Sequence, residues 1–519
     1  MKNIIKLLTG LGCLITVISS CKSALDRDPL TEYTYDNYWN EPSQASAALS
    51  GAYFRLQSTL NTEFVLYGEA RADMLAVPRE DNVTNLALLG NRLSPDLAIS
   101  DWSNFYRVIG QANLIIKNVK EMRERGIYAN QTAEYNRVLG QALGLRAYCY
   151  LLMTKVWGNV PLITEPILSN GDINSFKTPR TDSLKVYNQV ATDLLQARDL
   201  LPASYTDARR TRATLTKGGI DAILTDYFMW RNNVDSALIY SRNILDNTTQ
   251  YRLAALHDPN IDYLSRPQVD IDNTEYAKMF IDGFSPESIF EIEYSFDEGT
   301  TSGLLALFAG GDGVAQFVAN AVFASKFSST DLRNLANFRS SVQIFKQFPK
   351  GTFDRNTQND KNVILYRLAD IILLRAEAFV AKGDRAAAWN LLKRIRERTF
   401  GPVEIQTPDA NSPTGYVINN PNPNNKFNTG PTGSNEMAAF MALSRSAAID
   451  VILEERQKEL CFEGKRWFDL VRTGRVLTAK VTANGVERPL VVNAANILFP
   501  INLNVIRLNP LIEQNNFYK

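Results

Sequence analysis

Apolar residues recur at helical spacing over most of the chain and predict a mainly α-helical protein. Positions three and four apart lie on one face of a helix, so such runs are typical of amphipathic helices. The predicted helical scaffold covers mainly residues 43–58, 102–250, 361–399 and 446–475. Poorly periodic stretches interrupt it and are predicted to be loop-rich, at about 71–100, 251–349 and 401–436.

One predicted helix pair, 364–381 followed by 385–398, indicates how the helices associate. Ala376, Gly383 and Ala388 fall close to tetratricopeptide spacing. In such repeats small residues let the two helices of a hairpin approach each other, and a turn joins them. A generic helical hairpin is the alternative. The divergent spacing predicts imperfect tetratricopeptide-like pairs in one domain, residues 43–519, rather than a regular solenoid.

A few short strands are expected within the loop-rich half. The segment from Ser288 to Phe296 alternates polar and apolar residues, which predicts a half-buried strand. Glu291 and Glu293 lie two apart, on one face of such a strand. Two carboxylates about 5 Å apart suffice for a retaining glycoside hydrolase, so this pair keeps an enzymatic alternative open. Acids at this spacing are also ordinary on an exposed strand.

The helix between Ile452 and Arg472, interrupted by a glycine, is unusually rich in charge. Arg456, Glu459, Glu463 and Arg466 lie close to its apolar stripe. We predict a solvated or internally paired helix that orients the C-terminal region. Catalytic carboxylates are the minor alternative.

The N-terminus has the pattern of a secretory signal. A basic start precedes an apolar run from Leu7 to Ile18, shorter than the about 20 residues that span a bilayer. Two serines then lead to Cys21, which resembles a bacterial lipobox. We predict a lipoprotein signal peptide over 1–20, an acylated Cys21, and a lipid-anchored tether over 21–42. An ordinary signal peptide with a coincidental cysteine is the alternative.

Composition excludes several classes of protein. The 519 residues are 45% hydrophobic with a formal net charge of +1 and no basic blocks, so a nucleic-acid partner has no electrostatic support. The single histidine, His257, lies in a His-Asp-Pro sequence that predicts a capped loop residue, and no Gly-x-Ser-x-Gly elbow accompanies it. Zinc sites built from several His or paired Cys are excluded by count. Catalytic residues are therefore not predicted.

Two cysteines remain after signal processing. Cys149 and Cys461 each lie inside a helical apolar pattern, which predicts buried free thiols. A disulfide between them is the alternative in an oxidising compartment.

The charged helix resembles the C-terminal signature of the SusD/RagB family, and further segments follow in that family's order. They are Leu25-Asp26-Arg27-Asp28-Pro29, Tyr38-Trp39, Leu145-Arg146-Ala147-Tyr148, Gly158-Asn159-Val160-Pro161-Leu162, Phe499-Pro500 and Asn509-Pro510. Individually these pieces are weak, but in this order they are specific. The resemblance implies a SusD-like α/α superhelix.

The resemblance also implies a function and partners. The family's members are outer-membrane lipoproteins at the cell surface that bind nutrients, mostly glycans, without cleaving them. We therefore expect this chain to deliver an oligosaccharide to a SusC-like TonB-dependent barrel. A peptide-binding RagB-like protein with a RagA-like barrel, or a purely structural lipoprotein, are alternatives. No cofactor is implied, and the acids between Asp354 and Asp360 lack the ligand spacing of a calcium-binding EF-hand.

Candidate ligand residues follow from the same resemblance. The family builds its ligand sites from a loop after the first helix and from the middle irregular region, which match 73–91 and 297–323 here. Polar groups and aromatic rings suited to a sugar are present in both: Asp73, Arg79, Asp81, Asn82, Asn85, Phe308, Asp312, Gln316 and Phe317. All six tryptophans lie in the tether or in core-like helices, so Phe or Tyr would have to supply any stacking platform.

Overall fold

The computed structural model of the protein describes residues 38–79, 82–168, 177–256, 271–309, 315–328, 331–350, 359–400, 405–408, 416–419, 434–483, 486–491 and 493–519. The predicted signal peptide, Cys21 and most of the tether lie outside the described residues. So do His257, Asp81, Asp312 and most of the acidic segment between Asp354 and Asp360.

The regular elements in the first half of the described chain are almost all helices. Its helices are α1 (Pro42–Thr59), α2 (Glu63–Gly68), α3 (Val83–Leu89), α4 (Ser103–Glu124), α5 (Thr132–Trp157), α6 (Ser183–Leu200), α7 (Ala208–Ala213), α8 (Lys217–Trp230) and α9 (Val234–Leu245). Several of their starts carry side-chain caps: Thr216 accepts a hydrogen bond from Gly219 N at the start of α8, and Asn233 from Ser236 N at the start of α9.

The second half mixes short and long helices. These are α10 (Glu275–Ile281), α11 (Leu304–Phe308), α12 (Ala321–Ala324), α13 (Leu332–Asn337), α14 (Leu368–Lys382), α15 (Arg385–Phe400), α16 (Ser434–Ala442), α17 (Arg445–Glu459), α18 (Arg466–Arg472) and α19 (Leu503–Leu508). Short 3₁₀ turns occur at Ala98–Ser100, Arg475–Leu477, Ala494–Asn496 and Asn516–Tyr518.

The strands form antiparallel pairs. They are β1 (Leu75–Ala76) with β3 (Val318–Ala319), β2 (Ser288–Ile292) with β4 (Val363–Arg367), β5 (Ile405–Pro408) with β6 (Tyr416–Asn419), and β7 (Lys480–Ala483) with β8 (Val486–Pro489). The first two pairs join segments distant in sequence, whereas the last two are hairpins.

The long helices pack in series, in the order α1, α4, α5, α6, α8, α9, α14 and α15. The predicted mainly helical fold is therefore confirmed. Helices α9 and α14 contact each other although they are distant in the sequence. Gly383 joins α14 to α15 with a φ of 87°, a left-handed conformation that favours glycine, so the predicted hairpin turn is confirmed.

The charged helix of the C-terminal region is internally paired, as predicted. It consists of α17 and α18, which are separated by Gly464. That glycine has a φ of 69°, and a Cβ on it would lie 2.5 Å from the Phe64 carbonyl oxygen. Only glycine fits such a close approach between two backbones.

Eight buried charged side chains, which we call the buried charge cluster, connect α17 to the rest of the protein. They are Glu287, Arg333, Lys346, Arg367, Arg398, Glu455, Glu459 and Glu463. Arg367 is 1% exposed and contacts Glu287 at 2.6 Å, Glu459 at 2.7 Å and Glu463 at 2.8 Å. Removing one partner from such a cluster leaves an uncompensated buried charge, which costs about 3–5 kcal/mol.

Two predictions about buried groups have definite outcomes. Cys149 and Cys461 are both buried and free, so the disulfide alternative is wrong. Strand β2 is buried on both faces rather than half-buried: Ser288 and Glu291 are each 0% exposed. Glu291 accepts hydrogen bonds from inside the protein, so the alternation of polar and apolar residues did not indicate exposure to solvent here.

The end of the predicted tether packs onto the helices. Trp39 is buried, and the Tyr38 hydroxyl donates to the Gln44 carbonyl oxygen at 2.9 Å. Arg125, just after α4, donates to Asn40 Oδ1 at 3.1 Å. Across the described residues, every helix is too short or too polar to cross a membrane.

Candidate ligand-binding site

The two loop regions expected to hold a ligand meet in the structure. Strand β1 lies in the first loop region and pairs with β3 of the second, with Leu75 opposite Ala319 and Ala76 opposite Val318. The Asn320 N–H extends this contact by donating to the Met74 carbonyl oxygen at 2.8 Å. The segment predicted to be irregular thus contains an ordered strand, and β1 is fixed by its distant partner.

A cavity of about 840 Å³ lies beside this strand pair. It is enclosed by α3, by β1 and β3, by the start of α12, and by the β7–β8 hairpin, and we call it the β1–β3 cavity. Most of its walls are aliphatic: Leu75, Val77, Leu86, Leu89, Val318, Val322, Val342 and Val481. Its volume and apolar lining are those of a site for a small or oligomeric ligand.

A few polar side chains lie among these aliphatic walls. Asn320 caps α12 with its Oδ1 and donates from Nδ2 to the Thr482 carbonyl oxygen at 2.8 Å, which ties the β7–β8 hairpin to β3. Arg488 Nη2 donates to the Leu89 carbonyl oxygen at 2.7 Å and ties the same hairpin to α3. Arg92 also lines the cavity and is exposed.

Both charged side chains of the lining are arginines. Partial burial lowers the pKa of Arg488, and the positive charge of Arg92 lowers it further. Neither arginine forms an ion pair with any residue that the structure describes. Within the same described residues, no group of three His, Cys, Asp or Glu side chains is arranged to hold a metal ion.

Asp73, the first predicted ligand residue, is already engaged in an internal ion pair. Its two oxygens each accept a hydrogen bond from Arg466 at 2.9 Å. Burial raises the pKa of Asp73, but the charge and hydrogen bonds of Arg466 outweigh this and hold it below its usual range. This pair joins the first loop to α18, so its role in the structure is internal.

Three further predicted residues lie in or just before α3. Arg79 is exposed. Asn82 caps α3 by accepting from Asn85 N at 3.0 Å. The buried Asn85 contacts Gln316 Oε1 at 3.5 Å, so the structure brings the polar residues of the two loops together.

Phe308 and Phe317 lie in the core rather than at a surface. They are 2% and 0% exposed, and the Phe308 ring packs 5.7 Å from that of Phe462. Neither ring offers a face to a sugar, because both are covered by apolar neighbours. Aromatic residues do not occur in the lining of the β1–β3 cavity as the structure describes it. The tryptophans are likewise outside it, and all but the partly exposed Trp230 are buried, as predicted.

A second groove, of about 430 Å³, lies between α1 and β2 and contains the two carboxylates of the hydrolase alternative. Glu291 accepts hydrogen bonds from Phe284 N at 2.7 Å and Asn362 Nδ2 at 3.3 Å. Burial raises the pKa of Glu291 to about 7. Glu293 forms an ion pair with Arg209. Both carboxylates are thus held by neighbours within the fold.

Sequence reasoning missed Arg92, Arg488 and the β7–β8 hairpin as parts of the site. Arg488 lies 399 positions from Leu89, the residue it binds. Local sequence carries no signal for a contact over that separation.

Two family profiles match the chain. The SusD family matches residues 314–518, and the family described as starch-binding associating with outer membrane matches residues 51–217. A SusD-like protein of Formosa agariphila is 26% identical to this chain, and the match covers 96% of each. Another SusD-like protein of the same organism is 24% identical, with 98% of each chain covered.

The two profiles and the SusD-like relatives together support a SusD/RagB family protein. Solved structures show the same fold. A SusD superfamily protein from Bacteroides thetaiotaomicron has a TM-score of 0.69 at 22% identity, covering 93% of this chain and 99% of its own. A putative sugar binding protein from Bacteroides vulgatus has a TM-score of 0.69 at 20% identity, covering 92% and 99%. The predicted mainly helical SusD-like fold is therefore confirmed.

Proposed function

We propose that this SusD-like protein is a lipid-anchored protein of the cell surface that captures an oligosaccharide in the β1–β3 cavity without cleaving it. It then passes the oligosaccharide to a SusC-like TonB-dependent transporter. The observation that carries this proposal is the cavity itself, which forms where the two expected ligand loops pair. The family membership and the fold shared with a putative sugar binding protein support a carbohydrate as the ligand.

The proposed anchor is the acylated Cys21, ahead of a tether whose last residues pack on α4 and on the start of α1. Exchange of Cys21 for Ser is expected to move the protein from the membrane fraction to the soluble fraction, because the acyl chains supply the membrane affinity. If the variant stays in the membrane fraction and its signal peptide is removed as before, the proposal that acylated Cys21 is the anchor is contradicted.

The binding site is tested by filling the cavity. Ala321 is exposed at the cavity wall, so Ala321→Trp places a large ring inside it. Isothermal titration calorimetry of the full chain against a panel of oligosaccharides is expected to show at least a tenfold loss of affinity. Ala386→Trp, at an exposed position of α15 outside the cavity, is the matched control and retains the affinity. Unchanged binding by Ala321→Trp contradicts this site, and Phe54→Ala then tests the groove beside α1.

Chromatography of the bound oligosaccharide separates a binder from a hydrolase. We expect the ligand to be recovered intact after long incubation. Newly released reducing ends that disappear in Glu291→Gln would contradict the non-catalytic function and support the glycoside hydrolase alternative.

A peptide ligand is the second candidate. It is favoured by the aliphatic lining of the β1–β3 cavity and by the lack of an aromatic ring among the lining residues that the structure describes. Titration with oligopeptides in place of the sugar panel distinguishes the two.

A further inference from the structure

We infer that the ligand of the β1–β3 cavity is anionic: an oligosaccharide that carries carboxylate or sulfate groups, which Arg92 and Arg488 bind. This inference rests on the proposed function and adds the chemical class of the ligand. It starts from the contents of the cavity, whose described lining includes two arginines and no carboxylate.

Arginines in the interior of this protein are normally matched by acids. Arg333, Arg367 and Arg456, for example, are buried and each contacts two or more carboxylates. The β7–β8 hairpin has its own acid, Glu487, but this residue pairs with Lys480 at 2.6 Å and does not line the cavity. The two cavity arginines differ from these three in lacking a described counter-charge. The buried Arg71 also lacks an acid partner, but its guanidinium donates to backbone carbonyl oxygens and does not line the β1–β3 cavity.

The arginines are also held near each other. A Cβ on Gly90 would lie 2.9 Å from Arg92 Nε. The Arg92 side chain therefore folds back over the end of α3 and occupies the space that a larger residue at position 90 would fill. The carbonyl oxygen of Leu89, the residue before Gly90, accepts a hydrogen bond from Arg488 Nη2. Both guanidinium groups thus lie at the same end of α3. Burial lowers the pKa of Arg488, and repulsion by the charge of Arg92 lowers it further.

An anion would remove that repulsion. A guanidinium has five N–H donors in a planar fork, and the Leu89 carbonyl oxygen takes a bond from only one nitrogen of Arg488. The remaining donors suit the two oxygens of a carboxylate or sulfate. The aliphatic walls supply contacts for the C–H faces of sugar rings. Charge, rather than stacking on an aromatic ring, thus sets the specificity of this site.

The test compares matched ligands by calorimetry with the full chain. One pair is oligogalacturonides and their methyl esters, and the other is carrageenan oligosaccharides and their desulfated forms. We expect at least one anionic member to bind tenfold or more tightly than its neutral partner, and the difference to shrink as sodium chloride is raised. Arg92→Gln and Arg488→Gln should each reduce the preference at least threefold, whereas Arg488→Lys retains most of it. Arg242→Gln, an exposed arginine of α9, is the control.

The outcomes separate this inference from the proposed function. Neutral oligosaccharides that bind as tightly as the charged ones, with no effect of either glutamine variant, overturn the inference and leave the proposed function standing. An absence of binding by every oligosaccharide overturns both. If oligoglutamate peptides bind instead, and Arg92→Gln abolishes this binding, the arginines remain an anion-binding site. The proposal that the ligand is an oligosaccharide is then overturned. Thermal unfolding of each variant shows whether a loss of binding reflects loss of the fold.

Discussion

The buried charge cluster and the β1–β3 cavity both contain arginines, but the arginines of the cluster are paired with acids and those of the cavity are not. In the cluster, Arg367 lies between three glutamates and is almost fully excluded from water. In the cavity, Arg488 lies half-buried near Arg92, with no described carboxylate in the lining. Compensated arginines hold distant segments together, whereas uncompensated arginines at a cavity wall are available to a ligand. An arginine without an acid partner thus indicates a binding role only where it lines a cavity, because the buried Arg71 also has no acid partner and is held by backbone carbonyl oxygens.

The largest effect should come from breaking the cluster. Arg367→Met leaves Glu287, Glu459 and Glu463 without their shared counter-ion, so the free energy of unfolding should fall by about 3–5 kcal/mol. Urea denaturation measures the change. Arg242→Met, on the exposed face of α9, should change it by less than about 1 kcal/mol. Equal effects of the two variants would show that the cluster is not needed for stability.

Acid should weaken the cluster in a defined pH window. Burial raises the pKa of Glu455, but Arg333 and Arg396 outweigh this and lower it to about 2 from its ordinary 4.5. A carboxyl with a lowered folded-state pKa stabilises the fold above its unfolded pKa, and this stability is lost as the pH falls through the folded value. The free energy of unfolding should therefore decrease from pH 4.5 to pH 2, by up to about 3 kcal/mol for this residue.

Urea denaturation at a series of pH values checks this acid sensitivity. Glu455→Gln removes the titrating group, so its stability should decline less steeply over the same window, although it starts from a lower value at neutral pH. A wild-type curve that stays flat between pH 4.5 and pH 2 would contradict the lowered pKa.

The smallest effect is expected at the cavity. Arg488→Gln loses one hydrogen bond to Leu89 but also the repulsion by Arg92, so the free energy of unfolding should change by about 1 kcal/mol or less. The same urea denaturation measures it. A loss as large as that of Arg367→Met would make Arg488 a structural residue and remove the contrast between the two regions.

The helices could be predicted from sequence because their signals are local. Apolar periodicity and the glycine at 383 placed α14 and α15 within a few residues of their observed bounds. Strand β2 shows the limit of such patterns. Glu291 has the spacing of a surface acid, yet Asn362 and the Phe284 N–H satisfy it inside the protein. Long-range partners decide whether a polar residue is buried, and a single sequence does not show them.

The candidate site was predictable as a region but not as a set of side chains. The two loops do meet, and Asn85 and Gln316 lie within 3.5 Å of each other. Polar and aromatic character, however, was a poor guide to the individual residues. Asp73 pairs with Arg466, and Phe317 belongs to the core. Arg488 lies on the β7–β8 hairpin, which is distant from α3 in the sequence. Only the complete fold brings this hairpin to α3 and so places the two arginines of the site together.

Arg71, three residues before Met74 and the first strand, is held by the other end of the polypeptide. Its guanidinium donates to the carbonyl oxygens of Asn496 and Ile497 at 2.5 and 2.6 Å, and lies 4.0 Å from the centre of the Trp467 ring. We expect a polypeptide clipped before Asn496 to lack this clamp, and with it the contacts that seat the segment leading into β1.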